Sequence, residues 1–140
     1  MNWEDTLSGA GYRITAPRRA VMEVLRAAEA PLSPRQICTR GDSLHPRLGL
    51  TTVYRTVALL EDLGVIQRVH RSNGCHAYVA TSPGHRHHVV CQACGRTAEF
   101  PGSDDVASLI HNVEKSTRFR VEGHLLQLFG LCPDCREDSS

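Results

Sequence analysis

The chain has 140 residues, a formal net charge of +1 and 41% hydrophobic residues, which suits one ordinary domain or two small ones and gives no overall bias toward a polyanion. No stretch reaches the roughly 20 consecutive apolar residues of a membrane-spanning helix, and the opening MNWEDTLSGAG is acidic and lacks the apolar run of a secretory signal. A soluble, cytoplasmic protein without a membrane partner is expected, and six cysteines in that setting favour metal over disulfides.

Residues 2–10 read as a short first helix ended by Gly9 and Gly11. In YRITAPRRAVMEVLRAAEAP, Thr15 is an N-cap candidate. Pro17 is tolerated in the first turn because its missing N–H would lack a partner there anyway, and Pro31 stops the helix. Val21, Val24, Leu25 and Ala28 recur at the spacing of one apolar helix face, with Arg18 and Arg19 near the N-terminal end and off that face. Ser33 is placed to cap a second helix from Pro34 to about Arg40, with Ile37 and Cys38 inward; Cys38 reads as a small buried hydrophobe.

After the loop GDSLHPRLG comes LTTVYRTVALLEDLG, a predicted helix over 50–63 with Thr51 or Thr52 as its cap and Gly64 at C′. Val53, Val57 and Leu60 form its buried stripe; Thr51, Arg55, Ala58 and Asp62 form another face. Small polar residues and an arginine near a helix N-terminus suit entry into a major groove, and Tyr54 beside them can pack on a sugar and bond a phosphate. Taken alone, the pattern fits an ordinary amphipathic helix with a polar face somewhat better. VIQRVH and CHAYVAT then alternate apolar and polar residues around RSNG, where Asn73-Gly74 signals a hairpin turn. Two helices, a recognition-type helix and a hairpin make the order of a winged helix-turn-helix. That order argues for DNA where no single element does. Ten arginines, Arg13, Arg18, Arg19, Arg26, Arg35, Arg40, Arg47, Arg55, Arg68 and Arg71, fall in this half; their planar forks suit phosphate and guanine, although composition alone allows a plain solvated surface.

The second half reads strand, knuckle, strand, helix, strand, knuckle. HHVVC enters the first knuckle and RTAEF leaves it, ended by Pro101-Gly102. Ser103 can cap a helix from Asp104 to about Lys115 with Val106, Leu109, Ile110 and Val113 on one face. RVEGHLLQLFGLC is expected to be a long strand, apolar on both faces and therefore covered on both, which in so small a domain suggests a dimer interface. REDSS reads as a frayed tail. The fold class is therefore α+β, with a winged-helix DNA-binding domain over 1–81 and a small α/β metal-binding dimerisation domain over 82–140. Halves of this size need a staple, such as a metal or a partner subunit.

Cys91, Cys94, Cys132 and Cys135 form two CxxC pairs, the ligand set of a structural Zn2+. The alternatives are two disulfides or a redox dithiol; a redox pair would be expected at a helix N-terminus, whereas QACG and CPDC read as turns. His85 and His87 point to one side of a strand and His88 to the other. His124 on the last strand is a candidate third ligand, and Asp104 or Asp105 a candidate carboxylate. Such a centre fits Zn2+ and would accept Fe2+, Co2+ or Mn2+; otherwise these histidines are solvated or merely hydrogen-bonded. A zinc hydrolase could use three imidazoles and an open position, but the sequence has no HExxH, and no general-base glutamate stands beside the histidines.

YRIT-PRRAVMEVL, GLTTVYRTVALLEDLGVI, HRHH-VVC-AC-G and HLLQLFGLCPDC, spanning Gly11 to Cys135, resemble the ferric uptake regulator family of bacterial metal-responsive repressors. The resemblance implies a homodimer, structural zinc in the four cysteines, and a sensing site near the hinge that sets the spacing of the two DNA-binding halves on a palindromic operator. By position it implies His85, His87, His124 and one of Asp104 and Asp105 as regulatory ligands. It also implies Thr51, Thr52, Tyr54 and Arg55 as recognition-helix contacts, with Arg18 or Arg19 on the DNA backbone. The chain departs from the pattern of a second regulatory site, since Arg86 replaces a histidine and Val79 and Ala80 stand where an upstream ligand would be. His88 is left as a possible further ligand, with Gln67, Cys75 or His76 as conceivable companions. GLCPDC and the three imidazoles lean toward the zinc-sensing branch, with iron, manganese, nickel or peroxide sensing as alternatives.

Overall fold

The structure is a computed structural model that describes residues 2–71, 74–82, 85–102 and 104–138, and of residues 104, 105 and 138 the backbone only. The first half begins with α1 (Trp3–Gly9), capped by the Asn2 side chain, and α2 (Ala16–Ala27), capped by the Thr15 hydroxyl. Then come α3 (Pro34–Gly41), which starts on a reciprocal capping box between Ser33 and Gln36, and α4 (Leu50–Asp62). Strands β1 (Ile66–His70) and β2 (His76–Ala80) follow as an antiparallel hairpin. Leu32 exchanges two backbone hydrogen bonds with Tyr78, so the short stretch between α2 and α3 joins the hairpin's edge. The expected turn at Asn73 lies outside the described residues.

One core runs through this half, from Trp3 and Leu7 through Val21, Leu25, Ile37, Val53 and Leu60 to Val65 and Tyr78. The expected stripe of α4 is buried: Val53, Val57 and Leu60 are 0–2% exposed. Each such side chain contributes about 1.5–3 kcal/mol by leaving water. The start of α4 differs from expectation. Gly49 is the N-cap, with no side-chain bond, and Thr51 and Thr52 lie inside the first turn. The chain takes its extended-to-helical step at Gly49, two residues before Thr51 and three before Thr52, so neither can cap. The C-terminus matches expectation. Gly64 has φ +76 and donates to Glu61 O while Val65 donates to Leu60 O, the paired bonds of a left-handed C-terminal stop.

The second half is a three-stranded sheet in the order β4-β3-β5, built from β3 (Arg86–Cys91), β4 (Thr97–Pro101) and β5 (Gln127–Gly130), with α5 (Asp104–Thr117) as the crossover. β3 pairs with β4 antiparallel and with β5 parallel. The expected cap at Ser103 lies outside the described residues. The last strand is much shorter than expected: only Gln127–Gly130 pair, and residues 118–126 form no ladder. The apolar alternation of that stretch is a surface property. Phe119 and Leu125 are 74% and 96% exposed. The tail also differs, because Pro133–Asp138 form a short helix, α6.

Candidate metal centres and the nucleic-acid face

Parallel pairing of β3 and β5 determines where the chemistry collects. Cys91 at the end of β3 lies opposite Gly130 at the end of β5, and Gln92 donates to Gly130 O at 2.8 Å. Both knuckles therefore leave the sheet at one end, which is how cysteine pairs far apart in sequence meet. The same pairing brings the two strand beginnings together at the other end, where His85 and His87 face the approach to β5 and His124. From His87 to Cys91 is four residues of strand, about 13 Å at 3.3 Å each.

At the first end, the sulfurs of Cys91, Cys94, Cys132 and Cys135 lie within 4.8 Å of one another. Cys94 and Cys132 are 3.8 Å apart, matching the roughly 3.8 Å expected between sulfurs each about 2.3 Å from a tetrahedral zinc. None is disulfide-bonded. The backbone N–H groups of Cys94 and Cys132 pull the Cys91 thiol down to about 6, which favours its thiolate. Cys135, crowded by the sulfurs of Cys132 and Cys91, is pushed up to about 12. Four sulfurs this close cannot all become thiolates without a cation between them, and the donor set fits Zn2+. Arg96 after the first knuckle pairs with Asp134 in the second at 3.0 Å; both are exposed, so the pair aligns the knuckles more than it stabilises them. One expectation is corrected: Cys132 directly precedes α6 and its carbonyl accepts from Arg136 N–H, so the second CxxC does open a helix. The case against a redox pair rests instead on the four-sulfur cluster.

At the second end, His85 Nε2 lies 3.0 Å from His87 Nε2 and 2.9 Å from His124 Nε2. His87 is buried, and His85 and His124 are exposed. Burial, followed by the neighbouring His85 and His124 rings, lowers the pKa of His87, which favours the neutral imidazole that a metal requires. Three ring nitrogens converging on one point fit a borderline divalent cation. Asp104 and Asp105 open α5, but their side chains lie outside the described ones, and no other carboxylate joins the cluster among the described residues. Gly102, a strand breaker together with Pro101, has a second task. Its N–H donates to His85 O at 2.7 Å, and a Cβ there would overlap the His85 ring. His88 points away from this centre. It is buried, its Nδ1 has no hydrogen-bond partner, and its pKa is lowered by burial against the pull of Glu99 opposite it on β4. Among the described residues no second cluster of candidate ligands forms around it.

The histidine centre opens into a cleft of about 370 Å3 between the halves, walled by Gln67–His70 of β1 on one side and His85–His88 on the other. Among the described residues, two sets of hydrogen bonds join the halves. Glu99 accepts from the Thr81 hydroxyl (2.5 Å) and from the N–H and hydroxyl of Ser82 (2.7 Å each). The Gln127 side chain accepts from His70 N–H (2.8 Å) and donates to His70 O (2.7 Å). Neither Glu99 nor Gln127 had a sequence signal, because a single amide or carboxylate on a strand shows no periodicity.

On α4, Thr51, Tyr54, Arg55, Ala58 and Asp62 are exposed as one surface, and Thr52 is half-buried. Of the two arginines offered for the DNA backbone, Arg18 donates to Arg13 O at 2.7 Å and Arg19 pairs with Glu4 at 3.2 Å.

Comparison with known proteins gives a consistent answer. The model of the ferric uptake regulator family matches residues 9–129. The ferric uptake regulation protein of Yersinia pestis is 31% identical over 137 residues, 96% of this chain and 92% of its own length. That of Neisseria meningitidis serogroup A is 28% identical over 131 residues, 93% of this chain and 90% of its own. Among solved structures, the Vibrio cholerae ferric uptake regulator superposes with a TM-score of 0.64 at 28% identity, over 94% of this chain and 100% of that one. A zinc uptake regulator complexed with zinc and DNA shares the fold at TM-score 0.80 and 20% identity, over 98% of this chain and 92% of that one.

Proposed function

The chain belongs to the ferric uptake regulator family of metal-responsive, DNA-binding transcription regulators, which are not enzymes, and from that premise we propose that it is a cytoplasmic, homodimeric, zinc-responsive repressor of metal-uptake genes. The observation that carries the zinc reading is the His85, His87 and His124 cluster, whose three imidazoles with one further ligand would make a four-coordinate site that suits Zn2+. Asp104 or Asp105 would complete it. Gly102 brings α5 to this point, because α5 begins two residues after the hydrogen bond to His85. Zn2+ in the four cysteines is structural in this reading, and the second ion is the signal.

The division into a DNA-binding half over 1–81 and a metal-binding dimerisation half over 82–140 is supported at the boundary. Thr81 N–H still bonds Val65 O in the first half, while its hydroxyl already bonds Glu99 in the second. Dimerisation is supported by exposed apolar side chains concentrated in the second half: Leu109, Phe119, Leu125, Leu128, Phe129 and Leu131 are each 47–96% exposed. Thr51, Thr52, Tyr54 and Arg55 of α4 would enter the major groove, with Arg18 and Arg19 moving from their intramolecular partners to phosphates. Two such helices on a two-fold axis read a palindrome whose half-sites lie about 34–36 Å apart. His124 and His85, held at one geometry, fix the cleft that sets this spacing.

Iron responsiveness is the second reading, favoured by the names of the relatives at 28–31% identity. Fluorescence anisotropy on the DNA upstream of this protein's own gene, with free Zn2+ buffered and Fe2+ and Mn2+ tested anaerobically, separates the two. Tight binding switched on by Zn2+ at the lowest free concentration is expected. Activation by Fe2+ or Mn2+ with zinc confined to the cysteines would transfer the protein to the iron, manganese or peroxide branch.

A further inference from the structure

We infer that Gln127 is the positioning residue that carries the state of the histidine centre to the DNA-binding half, an inference that rests on the regulator reading above. Three observations converge on it. Gln127 is the first residue of β5 and pairs with His88, so its backbone is registered one residue from the ligand candidate His87. It follows His124 by three residues, at most about 11 Å of extended chain, and the stretch before β5 has no ladder of its own to hold it. Its side-chain amide spans the cleft and uses both its oxygen and its nitrogen there, accepting from His70 N–H and donating to His70 O. His70 is the last residue of β1, whose other end leads back through Val65 to the stop of α4.

A fixed His124 therefore fixes Gln127, and Gln127 fixes the peptide of His70 and the hairpin that packs beside the recognition helix. The Glu99 bonds to Thr81 and Ser82 cross the hinge elsewhere, so the halves stay joined when the amide is removed.

The test is Gln127→Met, close in length but without the amide, with Gln127→Ala as a second variant, in the zinc-loaded full chain. Retention of the cysteine-bound zinc and of the dimer mass reports folding. The readout is the ratio of DNA Kd without and with Zn2+ at the histidine centre, together with Zn2+ affinity measured by chelator competition on and off DNA. The ratio is expected to fall about 2–30-fold in both variants, with Zn2+ affinity off DNA within about twofold of wild type. By reciprocity, Zn2+ affinity on DNA falls by the same factor as the ratio. An unchanged ratio overturns the inference. So does a loss of Zn2+ affinity off DNA as large as the loss of the ratio, which would make Gln127 a support of the metal centre alone. A wild-type chain whose DNA affinity ignores every metal overturns the regulator reading, and this inference with it.

Discussion

Replacing Cys132 by serine removes one of four sulfurs that the fold brings together from two distant turns. The size of the effect follows from how little else holds the second half. Among the described residues from His85 onward, the buried apolar side chains are Val90 and Cys91, worth together about 3–6 kcal/mol on burial. A structural zinc with cysteine ligands contributes about 10–16 kcal/mol of apparent binding free energy at neutral pH. The metal term exceeds the local core, and it is comparable to the whole stability of an ordinary domain, about 5–15 kcal/mol. Cys132→Ser should therefore unfold residues beyond the hinge and dissociate the dimer, while α2, α3 and α4 stay folded on their own core. Zinc content by atomic emission, sedimentation mass and far-UV circular dichroism during a thermal melt test this together. A loss of one zinc per chain, a monomer and a surviving helical transition are expected. A variant that keeps its dimer mass and melting profile would refute the reasoning, because the core would then suffice without the metal.

His124→Ala should leave the cysteine zinc and the dimer intact but abolish metal-dependent DNA binding in the anisotropy assay; full binding by the variant would remove the histidine centre as the sensor. Arg55→Ala should weaken specific DNA binding by about 1–3 kcal/mol and relax specificity at one base pair, if Arg55 reads a base; an unchanged binding curve on cognate and mutated operators would exclude that contact. Gly64→Ala forces a Cβ into φ +76 and should cost about 1–2 kcal/mol, read as a lower melting temperature with DNA specificity unchanged. Acidification should destabilise the chain stripped of metal at the histidine centre. His87 and His88 are held below the ordinary histidine value of 6.5, so as pH falls through that value the unfolded chain takes up protons that the folded chain refuses. Stability then declines from about pH 7 downward, measurable as the urea midpoint against pH; a midpoint that rose on acidification would contradict the burial of these rings.

Much of the fold was legible because it depends on local rules. Thr15 and Ser33 cap α2 and α3 as their side chains predict, Gly64 stops α4 with the backbone sign only glycine adopts cheaply, and the α4 stripe is buried. Both clusters of candidate ligands, the four cysteines and the three histidines, were legible as residue types at ligand spacing. The remainder depends on contacts between distant segments or on a second subunit. The length of β5 was overestimated because apolar alternation over 121–131 cannot say whether another strand or another chain covers it. The cap of α4 lies two residues before Thr51 and three before Thr52, because a glycine caps through its backbone alone. The CPDC turn hid the start of α6, and nothing in the string QLFG marked an amide that reaches 57 residues back to His70.

The parallel pairing of β3 with β5 also has a consequence in time. A chain made from its N-terminus presents the DNA-reading half whole, since every member of its core precedes residue 81. Cys94 then emerges, and its partner Cys132 follows only after 38 further residues. During that interval the nascent chain carries every residue of its first core, while the four-cysteine and three-histidine clusters are still incomplete. On the proposed reading, zinc supply during synthesis would decide whether each new copy becomes a regulator or a stalled half, before any question of sensing arises.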